Sequence, residues 1–485
     1  MIVNHLPALA VVMPLLASPC MALVKSTKVQ WLAFALVALA TLAAGTILLS
    51  QAKLSGDIFY HFGDWWAPIG IAYRLDLINT MILVVVGIVA VFSALQLLNE
   101  IGSKNARNEY IPLLFLLLAG LIGMLCSDDL FNIYVFIEIS SLASYGLVAL
   151  GNRRSSTFVS FNYLIYGTTG ASFYLLGLGI LYSFTGTLNA SNLANLLPNL
   201  ASLPMVQFGV VLMILGLGFK AAIFPFSSWL LGVYQASPTS ATVVFAGLSS
   251  KVYLYLIIRA LTYYWPYNIT FGNVITLEEL LKAAAVAMII YGTWQALKST
   301  LLMRILASSS IVNLGYILWC VAGNNASYFQ TALTIIAYHA VLKAAAVSLI
   351  GRLEAWNITT TAELSRTAIP VTLKYSAIFT LLALAGLPLT GGFIYKLTLL
   401  KGLVENQDWA GFALITAAMI ATLVYLGRVA LGLYYAPTKA IALRKLGINL
   451  KAIEYTIPAA LSVLLGIVSA RILPIIQQAT EQLWS

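Results

Sequence analysis

Charge is what this chain has least of. Asp, Glu, Lys and Arg make up 9% of its residues against 61% hydrophobic ones, and its mean hydropathy is +0.93, whereas soluble domains carry roughly 25% charged residues. Water is therefore excluded as the main environment. Cysteine is equally sparse: Cys20, Cys126 and Cys320 show no paired spacing, which speaks against a metal centre and a disulfide framework alike. Residues 1–24 contain no Lys or Arg, although an export signal needs a basic leader. Pro19 directly before Cys20 is also a poor context for lipoprotein processing, so MIVNHLPALAVVMPLLASPCMALVK reads as a retained first span. The short alternating segments of a transmembrane barrel are missing, and no cofactor motif is visible.

Long apolar windows are abundant. A bilayer crossing takes ~20 apolar residues, and such windows recur at 5–24, 30–51, 76–98, 111–126, 128–150, 158–184, 205–235, 238–263, 276–297, 302–322, 328–351, 371–404, 408–434 and 453–475. The fold class is all-α integral membrane, one domain over 1–485 with about 14 transmembrane helices by this criterion. Two windows are overlong and interrupted, 205–235 by Pro225 and 371–404 by GLPLTGG at 386–392, which predicts discontinuous helices.

Basic residues divide unevenly between alternate loops. One side collects Lys25, Lys28, Lys104, Arg107, Arg153, Arg154, Lys298, Arg304, Arg352, Arg366, Lys374, Lys439, Arg444, Lys445 and Lys451; the other has little beyond Lys53, Arg74, Arg259, Lys401 and Arg471. Cytoplasmic loops are the ones enriched in Lys and Arg, so the pattern predicts both termini outside a cell (cytoplasmic) membrane. It also accounts for the net charge of +10 as orientation and attraction to anionic lipid. A nucleic-acid surface would need a soluble basic face, and none is visible.

The few ionisable residues inside spans carry the functional argument. They are Glu138, Lys220, Lys251, His339, Lys343 and Lys396. Each lysine at a helix centre costs ~2.5 to 3.5 kcal/mol on insertion scales, a cost that four of them multiply. The bland alternatives are specific. Lys401, and with it Lys396, can snorkel to the outer interface; a lone acid can pair structurally with a lysine; His339 and Lys343, four apart on one helix face, can form a polar seam between helices. For Lys401 the bland reading is preferred. For the six, proton exchange suits the chemistry better, because desolvation disfavours an ammonium while a nearby carboxylate favours it, and a histidine exchanges protons near neutral pH unaided. The series reads as a proton relay in which Glu138 governs Lys220, with waters and Ser249, Ser250, Thr390 or Tyr395 filling gaps. Non-helical backbone at membrane depth is tolerated only beside protein or a wet cavity, so the two breaks mark paths. Five spans apart, they suit an inverted repeat of two five-helix units, 111–263 and 276–434.

The stretches DDLFNIYVFIEISSLASY (128–145), FKAAIFPFSSWLLGVYQASPTSATVVFAGLSSKVYLYLIIR (219–259), RILASSSIVNLGYIL (304–318), YHAVLKAAAVSLIG (338–351) and LAGLPLTGGFIYK (384–396) resemble the antiporter-like proton-translocating subunits shared by respiratory complex I, membrane-bound hydrogenases and Mrp-type multisubunit monovalent cation/proton antiporters. FTGTLNASNLA (184–194) and the lysine at 396 most resemble the D-type branch of the Mrp antiporters. The resemblance implies a 14-helix fold with an inverted repeat. It implies that Glu138 and Lys220 are the pair that drives proton movement, Lys251 the bridging lysine, His339 and Lys343 the pair on the eleventh helix, and Lys396 the terminal lysine that opens the path outside. It also implies partner membrane subunits, protons and Na+ as transported ions, and no cofactor. One departure stands out: relatives commonly read PFHxWLP, whereas PFSSWLLG has Ser227 in place of the histidine. The chain ends soon after its last window, without the lateral helix of the largest complex I subunit. The expected function is thus the proton-translocating subunit of a cation/proton antiporter. The alternatives are a proton-pumping subunit of a redox enzyme complex and a stand-alone carrier of a small organic solute, the latter disfavoured because acids and arginines are scarce in the spans.

Overall fold

The computed structural model describes residues 2–100, 109–151, 153–264, 269–271, 275–439 and 450–484. Lys104, Arg107, Arg444 and Lys445 of the topology reading lie outside the described residues, as do the side chains of Lys439 and Lys451. In chain order the helices are α1 (Leu6–Ala22), α2 (Thr27–Ser55), α3 (Leu77–Glu100), α4 (Tyr110–Cys126), α5 (Leu130–Ala149), α6 (Ser156–Thr185), α7 (Ala190–Leu200), α8 (Pro204–Lys220), α9 (Ser228–Ala236) and α10 (Thr239–Val244). A π turn at Phe245–Ser249 joins α10 to α11 (Ser250–Arg259), so that one helix runs over Thr239–Thr262. There follow α12 (Leu277–Lys298), α13 (Leu302–Ala322), α14 (Ala326–Glu354), α15 (Thr361–Leu364), α16 (Val371–Ala385), α17 (Gly391–Glu405), α18 (Trp409–Tyr435), α19 (Leu450–Ile467) and α20 (Ser469–Trp484). Strands occur among the described residues only as short two-stranded pairs between helices, the longest being Ile58–His61 against Ala72–Leu75.

The chain is predominantly helical, with nine helices long and apolar enough to cross a bilayer among the described residues, ten if one bent pair is counted as a span. Both overlong windows are broken as expected. α8 stops at Lys220 and α9 starts at Ser228, with Pro225, which has no N–H to give a helix, between them. α16 ends on Gly386 in the left-handed region (φ 107°), and α17 starts at Gly391. The last window departs from the expected straight span. It bends by 65° between Ile467 and Ser469. Gly466 lies so close to the α16–α17 break that a Cβ there would stand 2.1 Å from the Leu389 carbonyl oxygen, a close approach only glycine permits.

Polarity is arranged inside out. Phe158, Phe161 and Ile165 of α6 and Ile420, Leu423, Val424 and Leu431 of α18 face outward, as lipid contact requires. The Thr239–Thr262 helix, α13 and α14 are enclosed by other helices, and α14 packs against α3, α10, α13, α16, α17 and the π turn. These central helices carry Lys251, Arg259, His339, Lys343 and Arg352, all buried. The topology reading is corrected at three positions counted as loop residues: Arg259, Arg352 and Lys374 are buried. Arg259 pairs with Asp76, and Lys374 donates to the Ala436 carbonyl at 2.8 Å.

Side-chain caps set several helix starts. Asp129 accepts from Asn132 N at 2.7 Å to begin α5, and Asn325 accepts from Tyr328 N at 2.9 Å to begin α14. Asp408 begins α18 by accepting from Gly411 N at 3.0 Å, and it also accepts from Trp319 Nε1 and Tyr328 OH at 3.1 Å and Lys282 Nζ at 3.2 Å. Burial alone would raise this carboxyl, but the Gly411 N–H and the Lys282 ammonium outweigh it and hold Asp408 below the ordinary carboxylate range. A depressed carboxyl stabilises the fold above its unfolded value and ceases to do so as pH falls through its folded one. Asp408→Ala is expected to cost about 2 kcal/mol through lost capping and hydrogen bonds. In detergent thermal melts the loss should be seen at neutral pH and vanish in strong acid.

Candidate functional site

The predicted residues lie in the interior. Lys220 is 2% exposed, Lys251 3%, His339 and Lys343 0% and Lys396 6%; Glu138 is half-buried. No snorkelling explains Lys396. Lys401 fits the bland reading, since it is exposed and pairs with Glu405 at 3.5 Å.

Glu138 is on α5 and Lys220 at the end of α8, both of which pack against α6, and the two side chains form no ion pair among the described residues. Lys220 Nζ instead donates to Ser141 Oγ at 2.5 Å and Tyr145 OH at 3.1 Å. Residues 138, 141 and 145 fall on one face of α5 at spacings of three and four, so the amine rests one turn along that helix from the carboxylate, whose field still reaches it. Ser141 Oγ commits its own proton to the Ile137 carbonyl at 2.6 Å, which leaves its oxygen to accept from the amine. Gly167 of α6 makes room: a Cβ there would lie 1.8 Å from Tyr145 OH and 3.1 Å from Lys220 Nζ. Behind this pocket Tyr163 stacks on Trp229 at 4.3 Å, and Trp229 Nε1 donates at 3.1 Å to the Phe219 carbonyl near the end of α8.

Lys251 rests on its own helix. Its Nζ donates at 2.6 Å to the carbonyl of Ala246 in the π turn. Lys343 donates to the Leu306 carbonyl at 2.8 Å and to Ser309 Oγ, which itself donates to Leu306 O at 2.9 Å. The same device thus appears twice, a serine with its proton committed to its own helix and its lone pair offered to a lysine. Lys396 donates at 2.6 Å to the carbonyl of Ala385, the last residue of α16. Its stem passes close to Gly386, where a Cβ would meet Lys396 Cδ at 3.1 Å. The amine therefore sits at the negative pole of a broken helix, where a cation is favoured.

Among the described residues neither ring nitrogen of His339 has a hydrogen-bond partner, and the ring lies edge-on to Tyr395 at 6.1 Å between centroids. Lys251, Lys343 and Lys396 each act on it electrostatically. The six residues thus form two groups, Glu138 with Lys220 and Lys251 with His339, Lys343 and Lys396. Between them, Ser140 of α5 and Tyr253 of α11 share a 3.1 Å hydroxyl contact. Among the anticipated gap-fillers, Ser249 Oγ and Ser250 Oγ are buried without partners. Thr390 donates at 2.6 Å to Leu387 O within the break, and Tyr395 OH donates at 3.1 Å to Asn313 Oδ1. Ser227 is buried near the α8 break. Ser141, Tyr145, Gly167 and Ser309 escape sequence reasoning, because hydroxyl and glycine residues are ordinary on packed membrane helices. The spacing of 141 and 145 from Glu138 is the one signal that points to two of them.

A family profile described as NADH:quinone oxidoreductase/Mrp antiporter, transmembrane, matches residues 127–422. The chain is 34% identical over 88% of its length to the N-type subunit of the NADH-quinone oxidoreductase of Desulforudis audaxviator, covering 85% of that protein. It is 27% identical over 99% of its length to the D-type subunit of the Na(+)/H(+) antiporter of Bacillus subtilis, covering 97% of it. Its fold is that of a chain in the Mrp complex from Dietzia sp. DQ12-45-1b, at TM-score 0.87 and 21% identity, covering 100% of this chain and 98% of that one. A multi-pass membrane protein of the NADH:quinone oxidoreductase/Mrp antiporter transmembrane family is what these residues build, and the chain belongs to that family.

Proposed function

We propose that this chain is the proton-translocating subunit of a multisubunit monovalent cation (Na+)/proton antiporter, passing protons along Glu138, Lys220, Lys251, His339, Lys343 and Lys396. The observation that carries the reading is that all four lysine amines, though buried, rest on hydroxyl or main-chain oxygens. Unlike Arg259, whose buried guanidinium ends on the Asp76 carboxylate, these amines can lose a proton without stranding a counter-charge. The D-type antiporter subunits among the relatives support the exchange of Na+, and the place of such chains in multisubunit complexes supports partner membrane subunits.

Fourteen crossings are supported by the nine long apolar helices, four shorter apolar helices and the bent pair among the described residues. The inverted repeat of 111–263 and 276–434 is supported by the break in each unit and by the serine device on α5 and α13, the fifth and tenth windows. Both termini outside follows from the loop charges. The second reading, a proton-pumping subunit of a redox complex, is favoured by the identity with the N-type subunit of an NADH-quinone oxidoreductase. Glu138→Ala should lower cation-dependent proton flux in everted vesicles by about a hundredfold at normal chain content. Unchanged flux would remove the relay. Flux driven by an electron donor and indifferent to Na+ would move the chain to the redox reading.

A further inference from the structure

A polar stripe on α3 has no part in the relay described so far. Glu100, Gln96 and Ser93 follow one another at spacings of four and three on one helix face, and Val89 is next. Glu100 closes the inner end by accepting from Ser240 N at 2.9 Å and Ser240 Oγ at 2.5 Å. Tyr110 OH of α4 meets Ser240 Oγ at 2.7 Å and accepts from Ala241 N at 2.9 Å, while Ser93 Oγ donates to Ser240 O at 3.0 Å. The start of α10, which has no side-chain cap of its own from Pro238, is thus sealed by a carboxylate and a phenol from other helices. Among the described residues the charged groups around Glu100 are Arg352 of α14, which acts on it electrostatically, and the pair of Arg153 with Glu354 at 3.1 Å at the same end of α14.

Deeper in, Gln96 is 2% exposed and its Oε1 has no partner among the described residues. Leaving a buried acceptor unsatisfied is costly, and such groups are ordinarily met by ordered water. Val89, the next residue on the stripe, abuts Gly247, where a Cβ would lie 2.8 Å from Val89 Cγ1. Gly247 belongs to the π turn whose Ala246 carbonyl holds Lys251, and Ser249 Oγ and Ser250 Oγ in that stretch also lack partners. At 1.5 Å per residue, α3 rises ~16 Å from Glu100 to Val89, about half the hydrocarbon thickness.

We infer that the α3 stripe of Glu100, Gln96 and Ser93 is a proton inlet that loads Lys251 from the basic-loop face. The Glu100 carboxylate takes a proton from water on that face. Waters held by Gln96 Oε1 and Ser93 pass it on, and the neutral Lys251 amine becomes the ammonium as Glu100 returns to the carboxylate. The inlet rests on the relay reading of Lys251, and its competitor is a Glu100 that serves only to cap α10.

Glu100→Gln separates the two, because glutamine still accepts from Ser240 N but carries no proton. With the whole complex in vesicles and a pH-sensitive dye, Glu100→Gln and Gln96→Leu should each lower flux about tenfold when the basic-loop face is alkaline and protons there are scarce. Both should recover as that face is acidified. Lys251→Ala should be inactive at every pH. Flux in Glu100→Gln within about twofold of the unaltered chain across the pH range would overturn the inlet and leave the cap. If Lys251→Ala itself transports normally, the relay reading fails; if it is inactive while both α3 variants behave normally, only the inlet fails. Should Glu100→Gln not assemble, Gln96→Leu, which caps nothing, decides alone.

Discussion

Lys220→Arg is expected to stop proton transport as completely as Lys220→Ala, a fall of at least about a hundredfold, with the complex still assembled. The pairing of variants separates charge from exchange. Arginine keeps the cation, reaches the same acceptors on α5 and stacks on Tyr145, over whose ring Lys220 Nζ already lies at 5.6 Å from the centroid. It cannot release its proton at any working pH. If Lys220 served only as a buried cation for α5, arginine would preserve flux and alanine would remove it. Everted-vesicle flux with equal chain content is the measurement, and a working Lys220→Arg would refute proton transfer at this position. Ser141→Ala gives the graded companion: it removes the 2.5 Å acceptor but leaves Tyr145 OH, so a fall of about tenfold is expected.

Arg259→Met has the largest expected effect on stability. Arg259 and Asp76 form a buried pair in which Asp76 also accepts from Ile78 N at 2.9 Å and Asn79 N at 3.0 Å, fixing the start of α3. Asp128 lies nearby, its carboxyl pushed up by burial against hydrogen bonds from Ser191 and Asn189. Removing the guanidinium leaves two buried acids without its charge. The expected cost is about 3 to 5 kcal/mol, read as a lowered thermal midpoint in detergent. Adding Asp76→Asn should recover part of that loss, because the amide needs no counter-charge. A cost below about 1 kcal/mol would mean that the pair behaves like an exposed one.

The outline of the molecule was readable because lipid imposes simple rules. Apolar length marked the nine helices long enough to cross, Pro225 and GLPLTGG marked both breaks, and the insertion cost of a lysine marked Lys220, Lys251, Lys343 and Lys396. The bend before Ser469 was not readable, and neither was the close approach of Gly466 beside it to Leu389 from another part of the chain. Arg259, Arg352 and Lys374 were misread for a related reason: residues at the ends of spans look like loop residues until their neighbours, such as Asp76, are known. The resting acceptors of the amines were hidden because three of the four lysines end on main-chain carbonyls, which every residue possesses. Glu138 was legible as an acid at depth, but its stand-off from Lys220 through Ser141 was not.

The neutral oxygens under the lysines have an electrical consequence. On the relay reading, a proton leaving Ala246, Leu306 or Ala385 for the next site drags no fixed anion and is held back by none, so the membrane voltage acts on the travelling charge alone. A complete proton passage then carries about 2.3 kcal/mol for each 100 mV, and in exchange for a cation the voltage acts only on the difference between the charges moved each way.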